Sequence, residues 1–225
     1  MFTLDQVVPW GRSFDEYRRM FGLSEADLAC TIVGCGDGPA SFNAEARRRG
    51  ARVVSCDPIY AFDAAQLAGR IAATYDTVVD QTRRNVHQFR WDGGIGSVEE
   101  LGRVRLEAMQ RFLDHYASEE RHGAYVAADL PALPFVDRAF DLALCSHLLF
   151  LYSSELGGDL HRGSVREMCR VASEVRIFPL LTLGGTRSPF VEPCVQELRA
   201  DGHEVSVESV GYEFQRGGNE MMRIR

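Results

Sequence analysis

Three glycines at alternate positions, Gly34, Gly36 and Gly38, close an apolar run, and an acid, Asp57, follows 23 residues after the first of them. Glycine at this spacing lets backbone approach a ligand with no side chain between them. An acid at the end of the next strand is placed to accept from both hydroxyls of a ribose. A strand-end Asp also caps ordinary turns, but the glycine turn ahead of it favours the ribose. The dinucleotide fingerprint Gly-x-Gly-x-x-Gly would put its third glycine where Pro39 stands. Asp37 lies near the expected helix N-terminus, where a carboxylate competes with phosphate for the positive end of the dipole. The turn therefore suits a ligand with a small, uncharged or cationic body better than a pyrophosphate.

Other reactive side chains narrow the chemistry. All 25 basic residues are arginine, so a Schiff base is excluded. The cysteines at 30, 35, 56, 145, 169 and 194 form no Cys-x-x-Cys pair and read as buried thiols, not as a disulfide framework or a metal set. No metal site is expected. Among the histidines, His147 stands just past an expected strand end, where it would serve as a base or hold a ligand. The other five fall in expected helices or turns and read as surface residues.

Elements must position these groups. Residues 28–34 and 51–57 read as strands buried on both faces, with a helix over 39–49 between them. Pro39 suits that helix's first turn and Gly50 its stop. A short helix is expected over 13–22, with Phe14, Tyr17 and Phe21 on one side. Further strands are expected at 124–130, 139–146, 174–181, 203–214 and 219–225, with helices at 162–173 and 190–201. This alternation predicts an α/β fold with a doubly wound, mostly parallel sheet. The last two strands join through QRGG, a hairpin that makes the final strand antiparallel. Residues 61–122 exceed what a crossover needs and read as a helical insertion. Its clearest helix is 98–116, with Val98, Leu101, Met109, Phe112 and Tyr116 at near-helical spacing.

The segment IVGCGDGPASFNAEARRRGARVVSCDP is similar to the cofactor-binding half of class I S-adenosylmethionine-dependent methyltransferases. YVAADLPALPFVDRAFDLALCSHLLFLY looks like the next segment of their small-molecule branch. There an acid precedes a Leu-Pro-Phe turn by four residues, as Asp129 precedes Leu133-Pro134-Phe135. The resemblance covers roughly 28–60 and 124–183. It implies a Rossmann-like methyltransferase fold of seven strands, with S-adenosylmethionine as cofactor. Residue by residue, it implies that Gly34, Cys35 and Gly36 meet the methionine portion. Asp57 would hold the ribose, with Pro58 and Ile59 beside the adenine. Asp129 would accept from the adenine amino group, and Leu130 would stack nearby. Ser146 and His147 would face the methyl end, with His147 as the catalytic candidate. One departure stands out. Many such enzymes carry an acid two residues before the first glycine, where this chain has Ile32. The cofactor's ammonium group must then find another partner.

Acceptor-side candidates are Tyr152 from LLFLY, Tyr75 and Trp91 from the insertion, and Arg216 from the hairpin turn. Arg216 would grip an anionic acceptor. The bland reading of these residues is helix packing and a solvated hairpin. The insertion itself reads equally as a substrate cover and as an added packing layer. The expected whole is a single methyltransferase domain over 1–225, with an N-terminal helical segment at 1–27. A net charge of −7 argues against nucleic acid and anionic membrane as partners, and leaves a small-molecule substrate. No signal peptide or membrane-length apolar run is seen, so a cytoplasmic protein is expected. Two rivals stand beside this reading: an NAD(P)-dependent oxidoreductase, and a non-catalytic module that binds S-adenosylmethionine.

Overall fold

The computed structural model describes residues 7–225, so residues 1–6 of the expected N-terminal segment lie outside it. The first helix, α1 (Phe14–Phe21), begins at a reciprocal capping box: Ser13 Oγ accepts from the Glu16 N–H, and the Glu16 carboxylate accepts from the Ser13 N–H. Gly22 ends it at φ +57°, in the left-handed conformation that glycine tolerates. A second capping box, Ser24 with Asp27, draws Leu28 and Ala29 into α2 (Glu25–Ala29). Strand β1 therefore starts three residues later than its apolar run suggests, at Thr31–Cys35.

Helix α3 spans Phe42–Arg48 and not 39–49, because Gly38 at φ +56° turns the chain and leaves Pro39 in that turn. Strand β2 (Arg52–Cys56) pairs parallel to β1, with Gly34 opposite Ser55 and Cys35 opposite Cys56. Two long helices follow, α4 (Ala64–Arg84) and α5 (Val98–Tyr116), so the 61–122 insertion is helical as its periodicity implies. Strand β3 is only Tyr125–Val126. The chain then leaves the sheet edge in a turn bridged between Asp129 and Ala132, and Pro131 in that turn has no N–H for a ladder.

Strand β4 (Phe140–Ser146) lies against the other side of β1, and β5 (Ala172–Phe178) beside β4. Helix α6 (Gly158–Val171) runs directly into β5, and α7 (Val191–Ala200) precedes β6 (Val205–Ser209) and β7 (Glu220–Ile224). The expected 203–214 strand is thus shorter, and residues 210–218 form a broad loop. The sheet order is β3-β2-β1-β4-β5-β7-β6, parallel except for β7, which runs antiparallel to both β5 and β6. This is the Rossmann-like methyltransferase sheet that the sequence resemblance implies.

Two apolar layers sandwich it. Val165, Met168, Val191 and Val195 of α6 and α7 pack on Val33, Ala143, Val175 and Ile177. On the other face Phe14, Tyr17 and Phe21 of α1 meet Phe42, Ile32, Leu142 and Phe178. The face carrying α1 and α3 also receives α5, whose buried Phe112 and Tyr116 close over Tyr60 and Leu67. Among the described residues, no helix is long and apolar enough to cross a membrane.

Candidate functional site

Beyond the carboxyl ends of β1, β2 and β4 lies a cavity of about 200 Å³. Open parallel sheets bind ligands at this end, where the strand order reverses. Gly36, Asp37, Gly38, Asp57, Ser146 and His147 all border it. The glycine turn is held from both sides. The Gly36 N–H donates to the Cys56 carbonyl at 2.8 Å. Gly36 sits at φ +68°, and a Cβ there would overlap the Leu148 side chain. The Gly38 N–H donates to Asp57 Oδ2 at 2.8 Å, and the Ile59 N–H donates to Oδ1 at 3.0 Å. Burial nevertheless lifts the Asp57 carboxyl to about 6.

Asp37 does not point at the helix N-terminus as the sequence suggests. It folds under β1, where Tyr17 Oη donates to Oδ1 at 2.9 Å and Ser55 Oγ donates to Oδ2. Ser55 in turn receives Asn43 Nδ2 at 3.0 Å. Gly34 explains this placement, because a Cβ on Gly34 would overlap the Asp37 carboxylate. The first glycine makes room for an internal acid. Burial raises that acid also to about 6.

His147 has a left-handed backbone, φ +55°, and its N–H donates to the Phe178 carbonyl at 2.7 Å. Its Nδ1 lies 2.9 Å from Ser146 Oγ. Burial, reinforced by the positive Arg12 and Arg105 nearby, holds this imidazole well below its usual pKa, so it is neutral at pH 7. A chain of hydrogen bonds thus runs from Asn43 through Ser55 and Asp37 to Tyr17, and Ser146 and His147 form a separate pair.

The expected site residues divide in two. Gly36, Asp57, Ile59, Ser146, His147 and Tyr152 line the cavity. Gly34, Cys35, Pro58, Asp129 and Leu130 are not among its lining residues. Cys35 is fully buried behind the turn, and Asp129 is exposed, near enough to Asp57 to raise its pKa. Arg216, Tyr75 and Trp91 are likewise not lining residues, and each has another partner. Arg216 is exposed and gives its Nε to the His87 carbonyl at 2.9 Å. The Tyr75 hydroxyl packs on Gly102 of α5. Trp91 donates to the Val86 carbonyl at 2.9 Å and packs edge-on against Phe214.

The insertion reaches the cavity through other residues: Leu67, Val78, Phe89, Leu101 and Arg105. Trp10, Leu183 and Phe214 complete an apolar wall, beside Gln215 of the hairpin loop. Sequence reasoning missed Arg12 and Arg105, which both line the cavity. Arg105 is 1% exposed and binds Glu16 Oε2 at 2.5 Å, while Tyr212 Oη donates to Glu16 Oε1 at 2.9 Å. The Ser-x-x-Glu capping signal was readable; its partner 89 positions on was not.

The cysteines at the strand ends near the turn are buried. Burial raises the Cys35 thiol well above its usual range, and the Cys56 and Cys145 thiols to about 12, which suppresses the reactive thiolate. Among the described residues no cluster of three or more His, Cys, Asp or Glu is arranged to hold a metal ion.

No protein-family model matches the chain. It is 30% identical over 224 residues to the uncharacterized protein MJ0045 of Methanocaldococcus jannaschii, across 99% of this chain and 98% of that one. At that identity and coverage the chain belongs to the same family as the archaeal protein. Among solved structures, the mitomycin 7-O-methyltransferase MmcR is similar at TM-score 0.49 and 13% identity, covering 94% of this chain and 53% of that one. Magnesium protoporphyrin IX methyltransferase from Synechocystis PCC 6803 with bound SAH is similar at TM-score 0.48 and 12% identity, covering 94% and 92%.

Proposed function

We propose that this chain transfers a methyl group from S-adenosylmethionine to a small-molecule acceptor. One observation supports the reading above others. The glycine turn, Asp57 and the Ser146–His147 pair come from three different strand ends and border one cavity. The residues fit a nucleoside ligand. A Cβ on Gly38 would stand 3.9 Å from Asp57 Oδ2 and fill the corner between turn and carboxylate. Each Asp57 oxygen accepts one backbone N–H, which leaves acceptor capacity for ribose hydroxyls. Ile59 supplies an apolar surface for the base, and exposed Asp129 an acceptor for its amino group.

When bound, the cofactor supplies an electrophilic methyl group on a sulfonium whose departure is neutral. The protein then contributes mainly alignment. A base is needed where the acceptor must lose a proton, and His147 is built for that task. With the proton on His147 Nδ1, Ser146 Oγ accepts it. In that tautomer Nε2 carries the lone pair, on an imidazole that borders the cavity and that burial keeps neutral. Trp10, Phe89 and Phe214 favour an acceptor with a flat or apolar body.

The NAD(P)-dependent alternative needs a glycine where Pro39 stands and a phosphate at the α3 N-terminus. A thermal-shift and calorimetric comparison tests the choice. S-adenosylhomocysteine should bind in the micromolar range, about −7 to −8 kcal/mol, and NADH should produce no shift. Binding of NADH alone would overturn the reading. Product formation from S-adenosylmethionine with a metabolite extract separates an enzyme from a silent binding module.

A further inference from the structure

Two guanidinium groups border the cavity, with a single carboxylate between them. Arg105 is bound to Glu16, but its Nε is buried without a partner among the described residues. Glu16 is already heavily used: Oε1 accepts from Tyr212, and Oε2 accepts from Arg105 and from the Ser13 N–H at 2.9 Å. Arg12 has less. Its Nη1 donates to the Trp10 carbonyl at 3.0 Å, its Nε is buried and unpartnered, and no carboxylate of the described residues forms an ion pair with it. Burial and the proximity of Arg105 disfavour its charged form, which Glu16 offsets only in part. His147 is neutral and adds no charge. The lining carboxylates are committed elsewhere, Asp37 to Tyr17 and Ser55, Asp57 to two backbone N–H groups.

The backbone fixes Arg12 in place. Its carbonyl accepts from the Ser41 N–H at 3.0 Å, and a Cβ on the preceding Gly11 would overlap the Pro39 carbonyl. Arg12 is therefore clamped to the end of the glycine turn, where the reacting end of a ligand would lie. An arginine whose Nε is shut away from water and which forms no ion pair among the described residues is a charge awaiting its counterion, and a guanidinium binds carboxylate or phosphate through two parallel hydrogen bonds.

We propose that Arg12, backed by Arg105, is the receptor for one anionic group, a carboxylate or a phosphate, of a ligand held in this cavity. The proposal rests on the methyltransferase reading for the identity of that ligand. The anion comes either from the amino-acid end of the cofactor or from the acceptor. It displaces the assignment of anion binding to Arg216, whose guanidinium is held by the His87 carbonyl.

Calorimetry on Arg12→Met and Arg12→Lys distinguishes the sources, with near-UV circular dichroism confirming that each is folded. The probes are S-adenosylhomocysteine, and 5′-methylthioadenosine, which has the same nucleoside thioether but no carboxylate. Phenyl phosphate and benzoate, titrated into protein saturated with S-adenosylhomocysteine, report an acceptor-side anion. If the cofactor supplies the carboxylate, Arg12→Met should weaken S-adenosylhomocysteine by about tenfold or more and leave 5′-methylthioadenosine unchanged, with Arg12→Lys in between. If the acceptor supplies it, both nucleosides should bind as before, while binding of phenyl phosphate or benzoate is lost. Equal weakening of both nucleosides would mark Arg12 as merely structural and overturn the proposal. So would a folded Arg12→Met protein with unaltered binding of all four probes. Should the parent bind neither nucleoside, the cofactor reading fails by itself. Arg12-dependent binding of phenyl phosphate or benzoate to the free protein would then still sustain the anion receptor, and its absence would end it.

Discussion

Gly34→Ala should destabilise the protein through an acid three residues away. An added Cβ would overlap the Asp37 carboxylate, with Oδ1 at 2.5 Å the least severe of three close contacts. The carboxylate must swing away, and it has nowhere equivalent to go. It is 6% exposed, and its partners Tyr17 and Ser55 are buried as well. Two hydrogen bonds to a charged group are lost, at about 1.5–3 kcal/mol each. Replacing glycine by alanine in a strand returns only about 0.5–1 kcal/mol. The net loss should be about 3–5 kcal/mol at pH 8, where an acid with a pKa of about 6 is ionised. Urea unfolding followed by circular dichroism measures it, provided the m-value is unchanged. The decisive comparison is the same substitution in an Asp37→Ser background. There the shorter side chain removes the overlap, so Gly34→Ala should cost less than about 1 kcal/mol, a coupling of about 2 kcal/mol or more. Equal losses in both backgrounds would refute the reasoning, because the glycine would then be needed for something other than Asp37.

Cofactor affinity should depend on pH through Asp57. Its free carboxyl titrates at about 6, and ribose donors favour the ionised form, so binding lowers that pKa and affinity falls as pH drops through 6. S-adenosylhomocysteine should bind roughly tenfold more weakly at pH 5 than at pH 8, and Asp57→Asn should be weaker throughout with most of that dependence gone; calorimetry across this range checks both. His147→Asn should lower turnover by about 100-fold while leaving S-adenosylhomocysteine affinity nearly intact, and a fall in affinity with unchanged turnover would instead make His147 a ligand-holding residue. Gly36→Val combines a left-handed φ of +68° with an overlap on Leu148, so it should lose both stability and cofactor binding, and a fully stable Gly36→Val protein would contradict the turn geometry.

The layered fold was legible because its signals are local. Continuous apolar runs marked β1, β2 and β4, and the 3.6-residue period marked Val98–Tyr116 to the residue. Boundaries failed where a short-range polar device outweighed the apolar pattern. The Ser24–Asp27 capping box took Leu28 and Ala29 from the expected strand. The Gly38 turn pushed the start of α3 past Pro39. The turn bridged at Asp129 and Ala132 cut β3 to two residues.

The site was legible only where its residues are spaced by the sheet itself. Gly36, Asp57, Ser146 and His147 sit at strand ends, so the order of strands alone brings them to one edge. Side chains that meet through tertiary packing carry no such periodicity. Glu16 is joined to Arg105 across 89 residues and to Tyr212 across 196. Nothing in the neighbourhood of Arg12, Arg105 or Tyr212 in the chain distinguishes them from surface residues. The same blindness produced the reading of Arg216, an arginine in a loop that does reach the cavity, but through Gln215 beside it. It also produced the reading of Asp37 as an acid beside the helix N-terminus, when the missing side chain at Gly34 is what lets it turn inward. In both cases the backbone was placed correctly and the side chain's direction was decided by a partner far away in sequence. On the proposed reading, a ligand in this cavity would meet Asp57 on the side of the turn and Arg12 on the segment that precedes the sheet.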